Sequence, residues 1–112
     1  MTESRGARSA EPPEFFKRVS EEFPDVIEAH GRLGAAVRAA GPLTSREVAL
    51  VKLAIATGAR MEGAVHAHAR TARAEGVEER ALEQVAVLAS PTIGFPNTMA
   101  ALTWIRDEGS EE

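Results

Sequence analysis

Cysteine is absent from the 112 residues, and so is tyrosine. Without a thiol the chain can form no disulfide, thiolate zinc site or iron–sulfur cluster, and it has no cysteine nucleophile or redox pair. Aromatic residues are scarce, with 4 Phe and 1 Trp. No apolar stretch approaches the roughly 20 residues that a membrane span requires, so no membrane partner is expected. A basic excess is also missing. The net charge is -4 and the pI about 5.4, which disfavours nucleic acid as a partner. No apolar segment follows the charged N-terminus in the manner of a secretory signal, so a cytoplasmic location is expected. Strand signals are lacking too: there is no sustained period-two alternation and no hairpin dipeptide such as Asn-Gly.

What the chain does have is alanine, 21 of them. Alanine favours helix and lets helices approach closely, but it buries little area per residue. Such a core suggests that a further apolar surface is covered between subunits. Eleven arginines against 2 lysines, with the alanine bias, suggest a GC-rich bacterial genome. A chain this long can hide roughly two-thirds of its unfolded surface, enough for one core. The expected class is therefore all-α, a single domain of five to six short helices. Residues 1–11 are expected as a flexible N-terminal tail, 12–107 as the helical domain and 108–112 as a C-terminal tail.

The helices are punctuated by proline, glycine and caps. A first is expected from Pro12-Pro13, with Phe15, Val19 and Phe23 at four-residue spacing. A second is expected from about Asp25 to Ala40, striped by Val26, His30, Leu33 and Val37 and closed by Gly41-Pro42. Thr44-Ser45-Arg46-Glu47 fits a capping box and opens a third helix to Gly58, with Val48, Val51, Leu53 and Ile55 as its apolar bulk. A fourth is expected over about Ala59–Glu75, closed by Gly76. A fifth covers Glu78–Ala89, with Leu82, Val85 and Leu88 inward. Ser90 to Pro96 reads as a Pro- and Gly-rich loop. A last helix spans about Asn97–Arg106, with Met99, Leu102 and Ile105 as its apolar positions and Trp104 beside them.

Chemistry points to one segment. Glu62 and His66 lie four apart on the fourth helix, one turn from each other on one face. A carboxylate there holds one imidazole tautomer and leaves the other nitrogen for proton transfer. Spacing alone also describes an ordinary solvated pair, which is the commoner case. Glu47 could add a second carboxylate if the third and fourth helices pack side by side. His68, two residues on, points to another face, so no zinc is expected at the two histidines, and no metal or cofactor is expected at all. A metal held by Glu47, Glu62 and His66 is chemically possible but not the favoured reading. Arg46 and Arg60 flank the segment and could grip an anionic substrate, since guanidinium matches carboxylate bidentately. His30, on an apolar stripe, reads as a packed structural histidine. Met61 and Met99 read as core filler. Gly94-Phe95-Pro96 reads as a pocket wall or a plain helix–helix turn.

These residues, taken in order, resemble the carboxymuconolactone decarboxylase family, within the alkyl hydroperoxidase D-like superfamily. The matching run is Ser45-Arg46-Glu47, then Glu62-Gly63-Ala64-Val65-His66, Gly76-Val77-Glu78-Glu79, the helix Leu82–Leu88, and Gly94-Phe95-Pro96. Relative to the hydroperoxidase branch, Glu47 and His66 match its glutamate and histidine, while Ala59 and Glu62 stand at its two cysteine positions. Relative to the decarboxylase branch, Glu62 matches, Thr92 stands for a tyrosine and Gly63 for a leucine. The resemblance implies an alkyl hydroperoxidase D-like helical bundle that assembles as a homotrimer or homohexamer, with a pocket near a subunit interface. Phe15, Phe16 and Trp104 are the aromatic candidates for that interface. It also implies a cofactor-free, decarboxylase-like enzyme acting on a small carboxylated lactone or related acid. His66 would be the acid/base, Glu62 would orient it, Glu47 would tune it, and Arg46 or Arg60 would bind the substrate. The alternative is a non-catalytic oligomeric module that binds a small ligand or scaffolds. A peroxidase-type oxidoreductase comes third, disfavoured because no thiol is present.

Overall fold

The computed structural model describes residues 14–109, and over them the chain is all-α, as expected. Seven helical segments follow one another: α1 (Glu14–Glu22), α2 (Pro24–Arg38), α3 (Ser45–Gly58), α4 (Glu62–Ala74), α5 (Glu79–Leu88), α6 (Ser90–Ile93) and α7 (Phe95–Gly109). The expected tail 1–11, the helix start at Pro12-Pro13 and residues 110–112 lie outside the described residues. By its contacts the chain divides into two compact units, α1–α2 in one and α3–α7 in the other.

Among the described residues, every buried core residue lies in the α3–α7 unit. In α3 these are Ala49, Leu53 and Ala56, in α4 Val65, Ala69 and Ala72, spaced four and then three apart, one stripe of a helix in each case. Leu82 and Ala86 of α5, Val77 ahead of it, and Ala101 and Ile105 of α7 complete the core. α3 packs on α4 and α5, and α7 on α4, α5 and α6. Thr98 is buried in α7 and donates its hydroxyl to the Ala86 carbonyl of α5 at 3.0 Å, which satisfies it. Met99 and Leu88, expected inward, are 46% and 67% exposed. Thr98 and Ala86, one position away in each helix or two, take the inward places, because small residues let the helices close up.

Arg73 fastens three helices at one end of this core. Its guanidinium is almost covered, donates to Glu79 at 2.8 Å and also to the Ile105 carbonyl at 2.7 Å. The hydrogen bond from Arg73 holds the Glu79 carboxyl below its ordinary range.

Two turns explain where α4 begins and ends. Gly76 has φ +89, the Val77 N–H bonds to the Ala72 carbonyl, and the Gly76 N–H to that of Arg73. This is a Schellman cap with glycine in the left-handed position. The same pattern closes α3, with Met61 bonded to Ala56 and Arg60 to Thr57, but here the left-handed residue is Arg60, at φ 57. The turn therefore uses residues 59–61, and α4 starts at Glu62 rather than at Ala59. The segment expected as a loop also differs. Ser90–Ile93 forms the single turn α6, since Pro91 suits a first helical turn, and α7 already starts at Phe95 and continues to Gly109.

The α1–α2 unit is built differently. Its two helices pack on each other yet bury no residue. The apolar stripe of α2 is present, but Val26, Leu33 and Val37 are 64%, 59% and 52% exposed. His30, expected to be packed, is likewise exposed. α2 ends at Arg38, and Gly41 does not adopt the left-handed cap expected of it, a conformation confined among the described residues to Arg60, Gly76 and Gly94.

Candidate functional site

Because Arg60 turns the chain, Glu62 becomes the first residue of α4 and His66 follows one turn later. The structure joins them: His66 Nε2 lies 3.4 Å from Glu62 Oε2. The contact is long for a hydrogen bond, so Glu62 is loosely held. The imidazole is 21% exposed and the carboxylate 60%. Nε2 faces Glu62, and Nδ1 is buried. This corrects one expectation. The second ring nitrogen, expected to stay free for proton transfer, is the buried one.

The other candidates are distributed around this pair. Glu47 stands exposed in the first turn of α3, the helix that packs on α4. Among the described residues, no three His, Asp or Glu side chains gather into a group that could hold a metal ion, so Glu47, Glu62 and His66 do not form one. Arg60 is exposed, within the α3–α4 turn. Met61 is 57% exposed and fills no core. His68 is partly buried. Trp104 packs against the core of its own chain, whereas Phe15 and Phe16 are exposed.

Arg46 is engaged elsewhere than expected. Its guanidinium grips Glu78, at the start of α5, through two bonds of 2.6 and 3.3 Å. The hydrogen bond from Arg46 lowers the Glu78 carboxyl, and that to Glu78 raises the guanidinium. Both groups are exposed.

Arg46 also stands on the edge of a hollow of about 530 Å³ between α3, α5 and α6. Its walls are Leu50, Val51 and Ala54 of α3, Val85 and Leu88 of α5, and Ile93 of α6. Neither Glu62 nor His66 lines it. Thr92 and Ile93 do, whereas Gly94, Phe95 and Pro96 do not. One signal for the hollow was visible in the sequence. α3 is apolar almost all round, from Val48 to Ala56, more than burying a single stripe requires.

Over the described residues this cysteine-free chain is all-helical, with a Glu–His pair opening α4. The family model of the carboxymuconolactone decarboxylase family matches residues 24–107. The chain belongs to that family. It matches no curated protein and no solved structure. Among the described residues no helix is long and apolar enough to cross a membrane.

Proposed function

We propose that this chain is a cofactor-free, decarboxylase-like enzyme for a small carboxylated lactone or related acid, in the cytoplasm. The observation behind this reading is the Glu62–His66 contact, with the imidazole four-fifths covered and its Nε2 turned to the exposed carboxylate. When a carboxylate leaves as CO2, its electron pair passes into the conjugated lactone carbonyl as a dienolate. The resulting carbon then needs a proton. His66 Nε2 supplies it as Glu62 swings aside, and Glu62 afterwards helps to reload the imidazole from water. The test is turnover of γ-carboxymuconolactone by purified protein without added metal or cofactor. No turnover of this or related acids and lactones sinks the reading. The second reading, a non-catalytic ligand-binding module, is favoured by the hollow, whose lining includes no carboxylate or imidazole.

Arg60 supports a substrate role by its backbone. A non-glycine residue in the left-handed region costs about 1–3 kcal/mol, and such strain concentrates at functional sites. Glycine would do the turn's work better. Arg60→Gly is expected to raise stability by about 0.5–1 kcal/mol, after glycine's extra unfolded-state entropy is subtracted. It should also raise KM severalfold. A gain in stability with KM unchanged would remove Arg60 from the site.

The working form is proposed to be a homotrimer or homohexamer. The exposed apolar stripe of α2, with Phe15 and Phe16, gives such an assembly something to cover. Light scattering during gel filtration should report the trimer or hexamer mass, and a clean monomer at micromolar concentration would refute it.

A further inference from the structure

Gly63 stands exposed in the first turn of α4, between Glu62 and His66, where nothing in the fold asks for glycine. Its φ is not left-handed, a conformation held among the described residues by Arg60, Gly76 and Gly94. A Cβ placed on it would meet nothing within 4 Å beyond its chain neighbours and the nearby backbone of its own helix. Packing therefore does not exclude a side chain there. Glycine within a helix instead costs stability, because its unfolded chain is freer than that of any other residue. A local rule broken without a packing reason is expected at a functional site. Other helical glycines are as unconfined, and Gly63 differs from them in what lies beside it.

Residues three apart on a helix are neighbours, and helical side chains lean toward the N-terminus. The imidazole of His66 therefore lies over the turn that carries Glu62 and Gly63, and its contact with Glu62 agrees. Nδ1 is buried, and Nε2 is turned to a carboxylate that is 60% exposed. Beside that contact, on the Gly63 side, there is open space. A Cβ at position 63 would stand more than 4 Å from the His66 ring. A methyl group fits there without touching the ring. A longer side chain extends into the gap, because the tip of the later residue in such a pair meets the side chain of the earlier one.

We infer that the space over Gly63 is the entrance to His66 Nε2, and that the side chain at position 63 sets the size of the molecule that reaches it. Glycine admits a reactant that is broad next to its reacting atom, where an aliphatic side chain would pass only a slender one. This rests on the Glu62–His66 pair being the reacting site, but access to the pair is measured without a substrate.

Diethyl pyrocarbonate measures it. An imidazole nitrogen takes an ethoxycarbonyl group from the reagent, and ethanol and CO2 leave. Tandem mass spectrometry separates His66 from His68, and the exposed His30 reports an open imidazole in the same sample. In the parent protein His66 should be modified alongside His30, and Gly63→Ala should keep that rate. Gly63→Leu should slow His66 about tenfold or more relative to His30, an added barrier of about 1.4 kcal/mol, comparable to holding a side chain off its rotamer. Gly63→Gln should slow it as well, and takes the place of the leucine variant if circular dichroism shows that variant misfolded. On an accepted acid or lactone, the longer side chain should lower kcat/KM more for a branched substrate than for its linear isomer. Unchanged His66 rates in both long-chain variants would overturn the proposal. So would a His66 that stays unmodified while His30 reacts to completion, or equal losses of kcat/KM for the two isomers. Protection of His66 in the variants, with no acid or lactone turned over by the parent, would keep the entrance and remove the enzyme reading.

Discussion

Replacing His66 with alanine is expected to lower kcat on an accepted lactone or acid by about 100- to 10,000-fold, the range for a positioned acid–base group. The expectation rests on where the imidazole sits. It is mostly covered, its Nδ1 is buried, and its Nε2 is the nitrogen that meets Glu62. Glu62→Gln retains shape but not charge, so it should cost less than His66→Ala. Glu47→Gln should cost less again, or reduce stability through the start of α3. His68→Ala should do little, since two residues along a helix is slightly more than a half-turn away. Steady-state kinetics on all four variants, with circular dichroism to check folding, decides the matter. Turnover abolished in His68→Ala and retained in His66→Ala would assign the chemistry to the wrong face of α4.

The parts that were legible in the sequence are those governed by local rules. Ser45 opens α3 where the hydroxyl–glutamate spacing places it, and Gly76 closes α4 because glycine takes the left-handed cap without cost. The Glu62–His66 contact follows from four-residue spacing alone. What escaped depended on tertiary context. Arg60 carries no signal for a left-handed residue, so α4 was expected three residues early. Pro91 and Gly94 read as loop residues, yet a single turn of helix accommodates both, one at its start and one just past its end. The stripe on α2 had the right period, but periodicity says which residues share a face, not that anything in the same chain covers it. The apolar hollow was hidden for a related reason. Its walls come from three helices, and the side of α3 that lines it is the one left over after Ala49, Leu53 and Ala56 have turned to the core.

That two-sidedness of α3 sets up a stability prediction with a built-in contrast. Leu53 and Ile55 are near neighbours of equal size and hydrophobicity, and the sequence offers no ground for ranking them. In the structure Leu53 is fully buried and Ile55 is 65% exposed. Leu53→Ala should cost about 2–5 kcal/mol, the sum of lost transfer energy and a residual cavity. The upper half of that range is expected. The surrounding core is rich in alanine, at Ala49, Ala56, Ala69, Ala72, Ala86 and Ala101, and short side chains cannot lean in to fill the space. For a domain of ordinary stability, about 5–15 kcal/mol, that loss is a large fraction of the whole. Ile55→Ala should change the stability of the folded chain by no more than about 0.5 kcal/mol. Urea unfolding at matched protein concentration measures both as shifts in midpoint at constant slope. The comparison is repeated at a tenfold lower concentration, because a subunit interface makes apparent stability depend on concentration. A large, concentration-dependent loss in Ile55→Ala would place that side chain in a contact between copies. Equal, concentration-independent losses in the two variants would mean that α3 does not turn Leu53 alone toward the core, and the assignment of its faces would fall.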